Sequence, residues 1–261
     1  MLILRIAAGL RRGICYLALT ATLLPPMLHA QVQSATARQQ ITATVQALGG
    51  PAYCAVQTVV RKCRVAGFFQ GQPTGALTLA TFSTQMPDRE HVALGPKGAV
   101  VQIFRTGAAW EITYKGVKPL PAKTVAAYDR SRKYALRTVL CQWAVDPSSI
   151  LLDRGQRTTD GHLADAVTVI SRRNLSATVV LDAASHLPIQ LTYHWRDPEF
   201  HDQNTDTVIY ANYHAVSGIA SPFTVTQRHN GQTISQLFVD GVRYNVPLPS
   251  RLFDPAQSKR P

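Results

Sequence analysis

After residue 30 this chain has no uncharged apolar run of the roughly 18–20 residues that a membrane-crossing helix needs, so none of the later sequence reads as a span. It also lacks G-x-S-x-G, H-E-x-x-H, a phosphate-binding glycine loop and a dinucleotide fingerprint. The commonest signatures of exported hydrolases, metallopeptidases, nucleotidases and dehydrogenases are thereby missing. No catalytic residue and no cofactor is assigned, and the chain reads as a non-enzyme. Acids are scarce, at 15 against 27 lysines and arginines. No low-complexity stretch or linker divides the sequence, which excludes an obvious boundary between domains. Cysteine is rare as well, with four residues in 261.

The first thirty residues are a different kind of sequence. "MLILRIAAGLRRGICYLALTATLLPPMLHA" opens on Arg5, Arg11 and Arg12, continues uncharged from Gly13, and closes on Leu28-His29-Ala30. A basic start, an apolar middle and a small-residue exit make a secretory signal peptide, with cleavage expected after Ala30. The competing reading is an uncleaved anchor, but Pro25-Pro26 falls inside it. Residue 31 is Gln, not Cys, so no lipid anchor is expected there. Residues 31–261 are read as one domain, large enough to bury a core of its own.

Twenty-seven cations less the three in the signal, against fifteen acids, leave a charge of +9. Such a surface favours transient contact with anionic phospholipid headgroups. The basic residues are scattered and no nucleic-acid motif accompanies them, so nucleic acid is not an expected partner. Cys15 leaves with the signal. Among Cys54, Cys63 and Cys141 one bridge is permitted by an oxidising compartment, and the blander reading is three buried small hydrophobes.

Periodicity gives the elements. Residues 34–48 are helical, with Ile41, Val45 and Leu48 on one stripe and Gly49-Gly50 as the stop. The period then becomes two. Val59, Cys63 and Val65 share a face, as do Glu90, Val92 and Leu94, and as do Trp110, Ile112 and Tyr114. "RTGA" is a hairpin connection. After Pro121 the pattern is helical to Trp143, with Leu136, Val139, Leu140 and Trp143 forming a stripe. From residue 150 strand follows strand. Ile189, Leu191, Tyr193 and Trp195 alternate with polar residues, and Asn230-Gly231 joins the last two strands. About eleven strands and two or three helices result. The fold class is α+β, mainly antiparallel, as one continuous curved sheet.

The polar cluster "HWRDPEFHDQNTD", residues 194–206, matches no defensible metal spacing and reads as a solvated hairpin tip, so no metal is assigned. "NLS" at 174–176 is a weak glycosylation pattern, and His162 and His186 sit in turn contexts. The aromatics are more suggestive. Phe68, Phe82, Phe104, Trp110, Tyr114 and Trp143 spread over the first half of the sheet and the central helix. They suit an ordinary core. With Leu136 and Leu140 they also form a candidate apolar ligand cleft, left where sheet and helices do not close.

A helix ending in "ALGG", an antiparallel meander with a helical insertion, "LDAASHLPIQLTYHW", "YHAVSGIASPFTV" and "RYNVPLPSRLFDP" together resemble the LolA-like outer-membrane lipoprotein-sorting proteins of bacteria. The resemblance covers nearly all of 36–256. It implies a half-open β-barrel with helices over its concave face, periplasmic localisation, and a non-catalytic carrier or binding role toward lipids or the acyl chains of lipoproteins. An envelope protein-interaction or stress-sensing module on the same fold is the alternative. The closing stretch has a reading of its own: Pro247 and Pro249 protect an open sheet edge, and Phe253 turns back to plug the end of the half-barrel.

Overall fold

The computed structural model describes residues 26–159 and 161–258. Residues 1–25 of the expected signal peptide lie outside them. Helix α1 (Pro26–Leu48) buries Ala37, Ile41, Thr44 and Leu48, one helical stripe, with Val45 half-buried beside it. It stops where the glycines stand. Gly50 N–H donates to Val45 O, and Gly49 has φ +124°. A Cβ on Gly49 would sit 2.6 Å from Gly218 O, so the helix end meets a distant turn at a distance only glycine permits.

A short helix α2 (Pro51–Cys54) leads into β1 (Thr58–Phe69). Then come β2 (Gln72–Pro73), β3 (Thr78–Gln85), β4 (Arg89–Leu94), β5 (Val100–Arg105), β6 (Ala108–Thr113) and β7 (Gly116–Pro119). The helical segment follows. After it run β8 (Ile150–Thr159), β9 (His162–Ile170), β10 (Ser176–Asp182), β11 (Pro188–Arg196), β12 (Gln203–Val216), β13 (Ile219–His229) and β14 (Gln232–Tyr244). Every pairing is antiparallel, and β2 lies against β1 beside the main path. The sheet holds fourteen strands rather than about eleven. The additions are the two-residue β2, the proline-ended β7 and the polar β8, none of which carries a hydrophobic alternation.

The order of strands explains how the sheet opens. β1 pairs with β3 on one side and with β14 on the other, Val59 lying opposite Thr84 and Tyr244. The first and last strands therefore join in the middle of the sheet. The free edges are β7 and β8, which are consecutive in sequence. Between them the chain crosses one face as helices and re-enters at the far edge.

This crossing is broken, not the single helix that its period suggests. α3 (Ala122–Lys133) ends at Tyr134, and Ala135 is extended at φ −57°, ψ 139°. One turn of α4 (Leu136–Thr138) passes into a π turn, Val139–Trp143, where Ala144 N–H reaches Val139 O. The break lets Tyr134 stack on Tyr193 of β11, with ring centroids 4.1 Å apart. The main core lies between this segment, α1 and strands β8–β11. Val139 and Leu140 are fully buried against Leu151, Val167, Val169, Val179 and Leu191. On β11 a bulge opposite Val180 and Leu181 turns Ile189 to the other face, where it packs on Ala164, Ala166 and Val180. The alternation that groups Ile189 with Leu191 fails at that bulge.

Cys54 and Cys141 are bridged, with Cα atoms 5.6 Å apart and a separation of 87 positions in sequence, which corrects the reading of three buried thiols. The bridge ties α2 to the π turn. Cys63 is free and buried in β1.

The tail also differs from expectation. β14 is an interior strand, so Pro247 and Pro249 guard no edge. Asn245, at φ +53°, closes the strand end instead: its N–H donates to Thr58 O, and its Oδ1 accepts from Gln57 N–H at 2.8 Å. The 3-10 turn Ser250–Phe253 then packs on β4. Phe253 is 1% exposed, but it does not plug the barrel end. Arg105 holds its carbonyl, and Arg105 shares its sheet face with Ile103 and Trp110, opposite the face of Phe104 and α3. The tail is a clamp on the outside of the sheet.

Candidate functional site

Cross-strand partners point to one face, and this sorts the aromatic residues. On the helix-covered face, Phe82 lies between two buried clusters, with the Arg61 guanidinium 5.7 Å from its ring centre. Phe104 is buried against Tyr128 of α3, stacked at 4.7 Å. Leu136 and Leu140 press onto the sheet through the π segment, and Trp143 meets Tyr134 edge-on at 5.4 Å. Trp110 and Tyr114 are elsewhere. Trp110 pairs with Ile103 on the outer face, and Tyr114, of the same alternation, is 79% exposed. Phe68 is near the far end of β1 and belongs to none of the buried clusters described here. Alternation correctly groups Trp110 with Ile112, but it carries no sign that says which face the helices cover. Both faces of this half-sheet are apolar because the tail covers the second one.

α3 spans the helix-covered face from strand to strand. On one side of the helix Tyr128 stacks on Phe104 of β5, and its hydroxyl donates to Asp88 O at 3.1 Å. Burial pushes that phenol well above its ordinary range. On the other side Arg130 meets Asp206 of β12 at 3.4 Å and lies 3.5 Å from the centre of the Trp195 ring. Asp206 also accepts from Trp195 Nε1 at 2.9 Å and faces His229 Nδ1 at 2.7 Å. The hairpin tip ends before β12 begins, so Asp206, placed in the solvated tip by the sequence reading, is instead a half-buried anchor for the helix. Within the tip, Asp197 caps the backbone N–H groups of Glu199 and Phe200, which hold its carboxyl below the usual range.

Two cavities adjoin across this cover. The inner one, about 160 Å³, lies between α2 and strands β1, β3, β13 and β14. Its walls are Tyr53, Val56, Val59, Val239, Val242 and Tyr244, with Arg61, Arg132 and Arg137 among them. The outer one is an open groove of about 750 Å³ between α3, the π turn and the β9–β10 turn. Met86, Arg132 and Arg137 line both and form the partition. Arg132 donates to Pro87 O at 2.8 Å and touches Met86 Sδ, while Arg137 donates to Cys54 O. Tyr53, Tyr210 and Tyr213 are half-buried nearby, and desolvation raises all three phenols. Such phenols stay neutral, and of the three only Tyr53 lines the cavity. The inner cavity was missed by the sequence reading. One signal for it was present: Arg61 stands in the alternation Val59, Arg61, Cys63, a cation on the apolar face of a strand.

No family model and no curated protein matches the sequence. Solved structures do match. An outer membrane lipoprotein-sorting protein domain from Vibrio parahaemolyticus superposes with a TM-score of 0.52 at 12% identity, over 85% of this chain and 100% of that one. A DUF1329 family protein from Desulfovibrio piger gives 0.55 at 10% identity, over 87% and 99%. At such identities the likeness is one of fold. The chain thus has the open, curved antiparallel sheet with a helical cover that characterises the LolA-like lipoprotein-sorting fold.

Proposed function

We propose that this protein is an exported, non-catalytic periplasmic carrier for lipids or for the acyl chains of lipoproteins. In this reading the mature chain starts at Gln31, within α1, and forms a single domain. The observation that carries it is the inner cavity on the helix-covered face of an open sheet, where four valines and two tyrosines give an apolar wall beside Met86 and three arginines. The likeness in fold to a domain described as lipoprotein-sorting supports the same class of cargo.

The cavity is smaller than the several hundred Å³ usual for ligand sites. A chain of useful length therefore enters only when the cover lifts. The extended Ala135 between α3 and α4 is the natural hinge, because it separates α3, held by side-chain contacts such as Tyr128 on Phe104 and Arg130 on Asp206, from the π turn, which the disulfide and the fully buried Leu140 fix in place. Val239 points into the cavity, so Val239→Trp fills it without touching the main core. The variant should keep its circular dichroism spectrum and lose binding of a fluorescent fatty acid. Unchanged affinity in a folded variant would remove the cavity from the mechanism.

A further inference from the structure

The inner cavity holds a feature that a purely apolar chain does not require. Three arginines line it, and no Asp or Glu does. The Nε atoms of Arg61, Arg132 and Arg137 are all buried without a protein hydrogen-bond partner. Among the described residues Arg61 has no hydrogen-bond or ion-pair partner, only its contact with the Phe82 ring. Glu90, the carboxylate linked to the lining, accepts from Thr84 Oγ1 at 2.7 Å. The acids of the neighbouring groove are likewise engaged: Asp88 by Thr106, Asp129 by Gly107 N–H and Asp146 by Ser148. Buried guanidinium donors that are left unpaired are costly, and they persist where an anion completes them. Burial disfavours the charged form of Arg137, Tyr53 partly offsets this and the charge of Arg132 adds to it, whereas an incoming anion would favour the charged form.

We infer that Arg61, Arg132 and Arg137 form a receptor for the oxyanion end, carboxylate or phosphate, of an anionic amphiphile whose apolar chain lies along Val56, Val59 and Val239. The inference rests on the carrier reading and narrows its cargo. An Arg fork suits both head groups, since each offers coplanar oxygens to paired N–H donors. The partition position of Arg132 and Arg137 suits a head group that enters from the groove while the chain occupies the cavity.

The test is competition against a fluorescent fatty acid, using oleate, its uncharged methyl ester, dioleoyl phosphatidylglycerol and dioleoylglycerol. Oleate should bind about tenfold more tightly than the ester, the worth of one good charge-assisted hydrogen bond. Arg61→Met and Arg137→Met, each checked for folding by urea midpoint, should bring that ratio near one and leave the ester's affinity intact. A matching preference for phosphatidylglycerol over dioleoylglycerol would assign the phosphate source, and its absence the free carboxylate. Equal affinity for oleate and ester in the unmodified protein overturns the inference while leaving the carrier reading standing. A ratio that survives both substitutions overturns the assignment to these arginines. Failure of every ligand to compete overturns the carrier reading itself.

Discussion

His91 shows what single residues do away from the cavity. It is buried on the outer face of β4, in register with Ser83 and Ile103, on the strand that the tail packs against. Burial pushes its imidazole below the ordinary value. The sign follows from which state binds the proton first. The unfolded chain takes it near the usual 6.5, whereas the folded chain takes it only at lower pH, so stability falls as pH drops below about 6.5 and is unaffected above it. Urea midpoints measured from pH 7.5 to 5.5 should therefore decline less steeply in His91→Gln than in the unmodified protein. Parallel slopes would show that this imidazole is not desolvated. Residue positions were legible in sequence where a period was uninterrupted, as with Ile41 and Leu48, or Leu136 and Leu140. They were illegible where the face had to be chosen. Trp110 and Phe104 carry equally apolar alternations, and only the path of the tail separates them.

At the scale of elements, the tail and the helical crossing are the two surprises. The proline-rich end of the sequence announces a firm stop, and the apolar pair Leu252-Phe253 announces burial. Both are present, but the docking surface is the outside of β4, because β1 already occupies the flank of β14 that an edge-guarding tail would need. Phe253→Ala should cost about 3–5 kcal/mol in urea unfolding, the range for emptying an aromatic site that cannot collapse. Truncation after Ser250 should cost at least as much, since it also frees Arg105 from the Phe253 carbonyl. A loss under about 0.5 kcal/mol in both, the range of ordinary surface changes, would mean that the tail contributes nothing. The break at Ala135 could not be read from a period that stays near 3.6 on both sides. Its cause is tertiary: the Tyr134–Tyr193 stack and the Cys54–Cys141 bridge fix the two pieces at different places.

For the molecule as a whole, the decisive property is a sheet closed in its middle and open at β7 and β8, with the chain between those edges serving as cover. The strand-after-strand pattern and the lone helical interruption made this architecture legible, while the β1–β14 junction, which joins residues 188 apart at Gln57 and Asn245, left no local signal. In the proposed carrier, α3 is the part of the cover that lifts, and the contact of Arg130 with Asp206 and Trp195 would latch it. Arg130→Met should raise the rate of fatty-acid uptake in stopped-flow fluorescence roughly fivefold, as expected for the loss of about 1 kcal/mol from a partly exposed ion pair. An unchanged rate would place the opening elsewhere. The central claim is that the helix-covered face carries an acyl chain, and mass spectrometry of native protein tests it most directly. Protein purified from the periplasm without detergent and extracted with organic solvent should release acyl species close to one per chain, and the Val239→Trp variant should release almost none. Folded, unmodified protein that yields no acyl species, or equal amounts from both proteins, would contradict it.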